Sequence, residues 1–119
     1  MQIVAFKAGD VIIREGDEGD VAYFIVSGEV EVLIGSGGRP VGALGAGEVF
    51  GEMCLIEPGP RSATVRALTD TECRTASAGE FIEMVKDQPD RALAFMKTLV
   101  RRLRQMNEIL EKIDRANRP

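Results

Sequence analysis

The sequence predicts a mainly β domain: an antiparallel β-roll of jelly-roll type, followed by a short and then a long α-helix. Three observations predict it. Twelve of the 13 glycines lie before residue 60. Between them stand short runs of β-branched and aromatic residues, with glycine-bearing turns at intervals of roughly 8–12 residues. From Ser77 onward the apolar spacing becomes helical. A length of 119 residues suits one domain that folds without disulfides or a structural metal.

The strands are expected at Val11–Ile13, Val21–Val26, Val30–Ile34 and Thr64–Leu68. In the third, Val30, Val32 and Ile34 share one face while Glu31 points away. The irregular glycine spacing argues against an internal repeat. Ser77-Ala78-Gly79-Glu80 has the form of a capping box, in which Ser77 accepts from first-turn amides and Glu80 reaches back. A short helix follows, with Phe81, Ile82, Met84 and Val85 on its apolar face. Pro89 interrupts it, because the residue before a proline is pushed out of helical geometry. Asp90 is expected to cap the long helix.

That helix carries Met96, Leu99, Leu103, Met106, Leu110 and Ile113 at alternating spacings of three and four, a seam suited to pairing with another helix. The half up to Leu103 is expected to pack on its own domain, and the rest to meet a partner subunit. Arg115–Pro119 is expected to fray. The organisation is therefore a roll over residues 1–77, a short helix over 78–88 and a long helix over 90–115.

Composition narrows the function. The sequence contains no His, the commonest general base and metal ligand, so a His-based metal site and a Ser-His-Asp triad are excluded. Cys54 and Cys73 lack CxxC spacing and read as reduced, buried thiols of a cytoplasmic protein. MQIVAFKAGD shows no secretory signal, and no apolar run is long enough for membrane insertion. Residues 1–89 hold 7 Lys/Arg and 15 Asp/Glu, while residues 90–119 hold 8 and 4. The acidic front repels nucleic acid and anionic membranes. The basic charges of the tail come singly or in pairs between apolar residues, as on the solvated face of a helix, so no nucleic-acid partner is expected.

The chemistry concentrates in Phe50-Gly51-Glu52-Met53-Cys54-Leu55-Ile56-Glu57-Pro58-Gly59-Pro60-Arg61-Ser62-Ala63-Thr64-Val65. Gly51 allows close approach of the backbone to a ligand, and a helical turn after it offers amides to an anion. Arg61 follows a stiff Pro-Gly-Pro corner, where a guanidinium can grip a phosphate through two parallel hydrogen bonds. Ser62 adds a hydroxyl donor, and the small Ala63 leaves its amide accessible. A carboxylate beside a phosphate is repulsive, so Glu52 makes sense as the acceptor for a sugar hydroxyl. A ribose cyclic phosphate meets both demands. Taken singly, Glu52 and Arg61 are ordinary surface residues.

Together, Phe-Gly-Glu-Met-Cys-Leu and Pro-Arg-Ser-Ala-Thr-Val resemble the phosphate-binding cassette (50–65) of cyclic nucleotide-binding domains. That family includes catabolite activator protein, regulatory subunits of cAMP-dependent protein kinase and cyclic-nucleotide-gated channels. Gly16-Asp17-Glu18-Gly19-Asp20 and Tyr23-Phe24-Ile25-Val26-Ser27-Gly28 resemble its first β-roll turns, and the likeness runs on through Phe81 and Leu103. The resemblance implies a sensor that binds cAMP or cGMP, carries no cofactor and has no catalytic residue. It implies that Gly51, Met53 and Cys54 touch the ribose phosphate or base, that Glu52 binds the ribose 2′-hydroxyl, and that Arg61, Ser62 and Ala63 hold the cyclic phosphate. Leu44 matches an apolar wall for the purine, and Arg102 and Met106 fall where the last helix lids the base. Ser62, where a Thr would suggest cGMP, leaves cAMP favoured.

The chain also departs from the family. It opens almost directly on its first strand, where members usually carry helices, so any relay is expected either to be incomplete or to use a partner subunit. Nothing after the last helix is expected to supply a helix-turn-helix, an inhibitor segment or a pore. Glu72–Ala76 has Arg74 and Thr75 where aliphatics are common, which predicts an exposed or weakly packed edge. The C-terminal helix is expected to join a homodimer or an effector protein. The alternative is a dimerisation module that does not use the ligand.

Overall fold

Alternating apolar side chains along the strands place one core between two antiparallel sheets. The computed structural model describes residues 1–117. In chain order the strands are β1 (Ile3–Phe6), β2 (Val11–Ile13), β3 (Val21–Ser27), β4 (Glu29–Ile34), β5 (Arg39–Gly45) and β6 (Val49–Phe50). The turn α1 (Met53–Ile56) precedes β7 (Thr64–Ala67) and β8 (Thr71–Ser77), and the helices α2 (Ala78–Asp87) and α3 (Pro89–Ala116) follow. One sheet has the order β1-β8-β3-β6 and the other β2-β7-β4-β5. Two compact units divide the chain, Met1–Phe81 and Ile82–Pro119.

Ile25, Phe50 and Cys73 from the first sheet meet Ile13, Val30 and Val65 from the second, with Phe6, Ile12, Tyr23, Val32 and Leu44 around them. Val30 and Cys73 are fully buried. Glu31 faces outward as its alternation requires and pairs with Arg66 directly across the β4–β7 ladder, at 2.6 Å. Such a pair, with both residues half-buried, contributes on the order of 1 kcal/mol.

The strand expected to be an exposed or weakly packed edge is neither. β8 lies inside its sheet, paired with β1 on one side and β3 on the other. Thr71, Cys73 and Ala76 are buried, while Arg74 is exposed. Polarity was a misleading guide because the side chains that face the core are small. The bulk comes from Ile25 and Phe50 of the same sheet, and a register shift between Ile25 and Ser27 adjusts the pairing to β8.

At the end of β8 the capping box closes in both directions. The Ser77 amide donates to Glu80 Oε1 at 3.1 Å, and the Glu80 amide donates to Ser77 Oγ at 3.2 Å. A cap of this kind stabilises a helix by about 1 kcal/mol.

In the second unit, Gln88, at φ −136° and ψ 71°, holds the cap position of α3, with Pro89 in the first turn. Asp90, expected as the cap, lies within that first turn instead, where its charge complements the helix dipole. Proline starts the second helix because its missing N–H costs nothing there. Along the seam of α3, Leu99 is half-buried, Met96 and Leu103 are 54% and 64% exposed, and Met106, Leu110 and Ile113 are about half exposed. Arg115 and Ala116, expected to fray, belong to α3, and Arg115 stands 3.8 Å from Glu111 one turn earlier. Arg118 and Pro119 lie outside the described residues.

Burial pushes the Cys73 thiol up to about 11 from its ordinary 9, with the nearby Glu72 charge adding to the rise. The folded state therefore favours the protonated thiol. Its contribution to stability is intact below about pH 9 and is lost as the pH rises towards 11. Urea unfolding followed across that interval is expected to show a falling midpoint in the wild type and a shallower fall in Cys73→Ala; equal slopes would contradict the assignment.

Candidate functional site

A positively charged head group inside the first unit organises the site. Arg61 is 6% exposed and Glu52 is 4% exposed, unusual burial for charged residues. The Arg61 head group is held by main-chain oxygens: Nη1 donates to the Gly51 carbonyl and Nη2 to the Val21 carbonyl, each at 2.9 Å. These acceptors fix the guanidinium plane but do not cancel its charge. Of five N–H donors, three lie beyond these two bonds.

The backbone around Arg61 is tied just as closely. Its amide donates to the Asp17 carbonyl, and its carbonyl accepts from the Gly16 amide, both at 2.8 Å. A bridge between Glu18 and Pro60 extends the pairing. The loop between β2 and β3 is thus stitched to the strand-like entry into β7. Beside Arg61 a cleft of about 290 Å³ carries Asp17, Glu18, Gly19, Asp20 and Tyr23 on its walls. Its carboxylates repel a phosphate from that side.

Gly51 follows β6 with φ +76°, a left-handed conformation, and a Cβ built there would stand 2.6 Å from Arg61 Nη1. Two separate reasons therefore demand glycine. Glu52 leads into α1 in helical geometry without capping it through its side chain. Met53 projects outward, 61% exposed, and its sulfur accepts from the Ser62 hydroxyl at 3.5 Å. Cys54 is buried, its thiol donating to the Gly59 carbonyl at 3.4 Å. Ser62 is exposed and Ala63 half-buried.

The structure thus brings Gly51 and Arg61 into direct contact and buries Glu52 and Cys54 beside them, with Met53 and Ser62 joined on the open edge. Leu44, on β5, is half-buried and packs against the core. Arg102 is half-buried and Met106 half exposed, one turn apart on α3 in the second unit. Sequence reasoning did not single out Gly19, Val21 or Tyr23 as parts of the site. Val21 acts through its main chain, which no side-chain pattern reveals. Tyr23 stacks on Phe50 at 5.0 Å and 11°, with Phe6 edge-on at 6.2 Å. Burial raises the Tyr23 hydroxyl above its usual range, partly opposed by the Arg61 charge.

Among the described residues no group of three or more His, Cys, Asp or Glu is placed to hold a metal ion, and no helix is long and apolar enough to cross a membrane.

Residues 3–88 match the family described as the cyclic nucleotide-binding domain. A cyclic nucleotide-gated potassium channel of Rhizobium etli is 43% identical over 95 residues, which are 80% of this chain and 26% of the channel. The crystal structure of Thermus thermophilus catabolite activator protein superposes with a TM-score of 0.84 at 33% identity, covering 95% of this chain and 55% of that one. An EAL enzyme in its cGMP-bound form matches with a TM-score of 0.68 at 35% identity, over 98% of this chain and 32% of the enzyme; its cAMP-bound form gives 0.67 at 33% identity. The chain spans about a quarter of the channel and about half of the activator.

Gly51→Ala combines left-handed strain, about 1–2 kcal/mol, with displacement of the arginine head group. Thermal melting is expected to drop by several degrees relative to the wild type, and an unchanged melt would show that neither constraint operates.

Proposed function

The chain belongs to the cyclic nucleotide-binding domain family, and from that membership we propose that it is a regulatory sensor of cAMP or cGMP and not an enzyme. The observation that carries this reading is the buried Arg61 guanidinium, fixed by two neutral main-chain acceptors with donors to spare. A cyclic phosphate is an anion suited to a cation held in this way. Ser62 and Ala63 add a hydroxyl and an amide to it. Glu52 accepts from the ribose 2′-hydroxyl, and Gly51, Met53 and Cys54 border the ribose phosphate and base. Leu44 is assigned to the purine wall, and Arg102 and Met106 to the lid over the base, on the strength of the resemblance alone.

Closure of the last helices over the base would favour one arrangement of them, with a coupling of about 1–3 kcal/mol. Ser62 in place of Thr leaves cAMP the favoured ligand. We place the sensor in the cytoplasm, where its two free thiols persist. The half-exposed seam of α3 favours a homodimer or an effector contact through that helix, and it also supports a second reading, a dimerisation module indifferent to nucleotide.

Calorimetric titration with cAMP and with cGMP is expected to show saturable binding of at least one, and no binding of either at high micromolar concentration would defeat the sensor reading. Arg61→Leu should weaken binding by about 2–5 kcal/mol, because it removes one partner of a buried ionic hydrogen bond. Sedimentation with and without nucleotide separates the two readings: an oligomeric state independent of nucleotide, in a chain that binds none, selects the dimerisation module.

A further inference from the structure

We propose that Gly19 is a positioning residue for Arg61: its missing side chain is the recess in which the guanidinium lies. The proposal rests on the reading of Arg61 as the phosphate receptor. A Cβ built on Gly19 would overlap Arg61 Nε and Cζ and stand 2.5 Å from Nη2. Those three atoms are the head group itself, not the alkyl stem. All three nearest atoms to the added carbon belong to Arg61. Gly19 has no left-handed φ, unlike Gly16 and Gly51, so its backbone accepts alanine without strain. What forbids a methyl group here is the arginine.

The loop side is held in place. The loop carrying Gly19 is pinned two and three residues earlier by the paired bonds of Asp17 and Gly16 to the Arg61 main chain. Two residues later, Val21 enters β3 opposite Ser77, and its carbonyl is itself an acceptor for Nη2. The head group can make room only by leaving the Gly51 and Val21 carbonyls. Leaving them discards the orientation that aims its remaining donors. Gly19 thus acts on ligand affinity through Arg61 and touches no ligand.

A double-mutant cycle of Gly19→Ala and Arg61→Ala on the full chain tests this, with the dissociation constant for cAMP and the urea midpoint as readouts. Gly19→Ala is expected to raise the dissociation constant at least about 30-fold, and the double variant to bind no more weakly than Arg61→Ala. The midpoint loss caused by Gly19→Ala should disappear once residue 61 is alanine. Binding by Gly19→Ala within about threefold of wild type, or an equal midpoint loss in both backgrounds, overturns the proposal. If the wild type binds no cyclic nucleotide, the sensor reading fails while the midpoint arm still decides whether the recess exists.

Discussion

The structure depends on one constraint: a guanidinium that cannot lose its charge is kept away from water. Burying an ionised group is costly unless hydrogen bonds replace its hydration. Two main-chain carbonyls from different segments meet part of that need, one at the start of β3 and one just after β6. A third segment, the loop from Gly16 to Asp17, clasps the main chain of the same residue. Distant parts of the sequence are thereby brought to one point. Carbonyls suit this task better than carboxylates, because they orient the cation and leave its field available to an arriving anion.

The two-sheet frame makes this burial possible. Strands from both sheets feed one apolar core, and the Tyr23–Phe50 stack ties the strand that starts at Val21 to the strand that ends at Phe50. The two acceptors of Arg61 therefore sit at the ends of strands that are paired to each other in register, Tyr23 opposite Phe50. Their separation is a property of the ladder, not of a mobile loop. The chain spans about a quarter of the channel and about half of the activator, and the residues that hold Arg61 lie within the first unit.

Much of this was legible in the residues. Glycine turns, β-branched runs and the Ser77–Glu80 box encode local geometry, and local geometry was read correctly at those places. The cassette was legible because its chemistry is compact: a glycine, a carboxylate and an arginine within eleven residues. Position within a sheet was not legible, as β8 shows, since Cys73 and Ala76 are small enough to pass for indifferent residues until their neighbours are known. The Gly19 recess was hidden for a different reason. It is a steric relation across 42 positions, and a glycine in a polar loop looks like any other turn.

The glycines of this chain differ in what an added side chain would meet. At Gly37, Gly42 and Gly59 nothing lies within 4 Å of an added carbon and φ is unremarkable, so replacement there meets open space. At Gly19 and Gly51 the space is already occupied by arginine. Every missense change of a glycine codon introduces a Cβ, so those two sites have no harmless neighbour by single-base substitution. Replacement in the first group meets no neighbour, while at Gly19 and Gly51 it meets the cation, and at Gly51 a left-handed backbone as well.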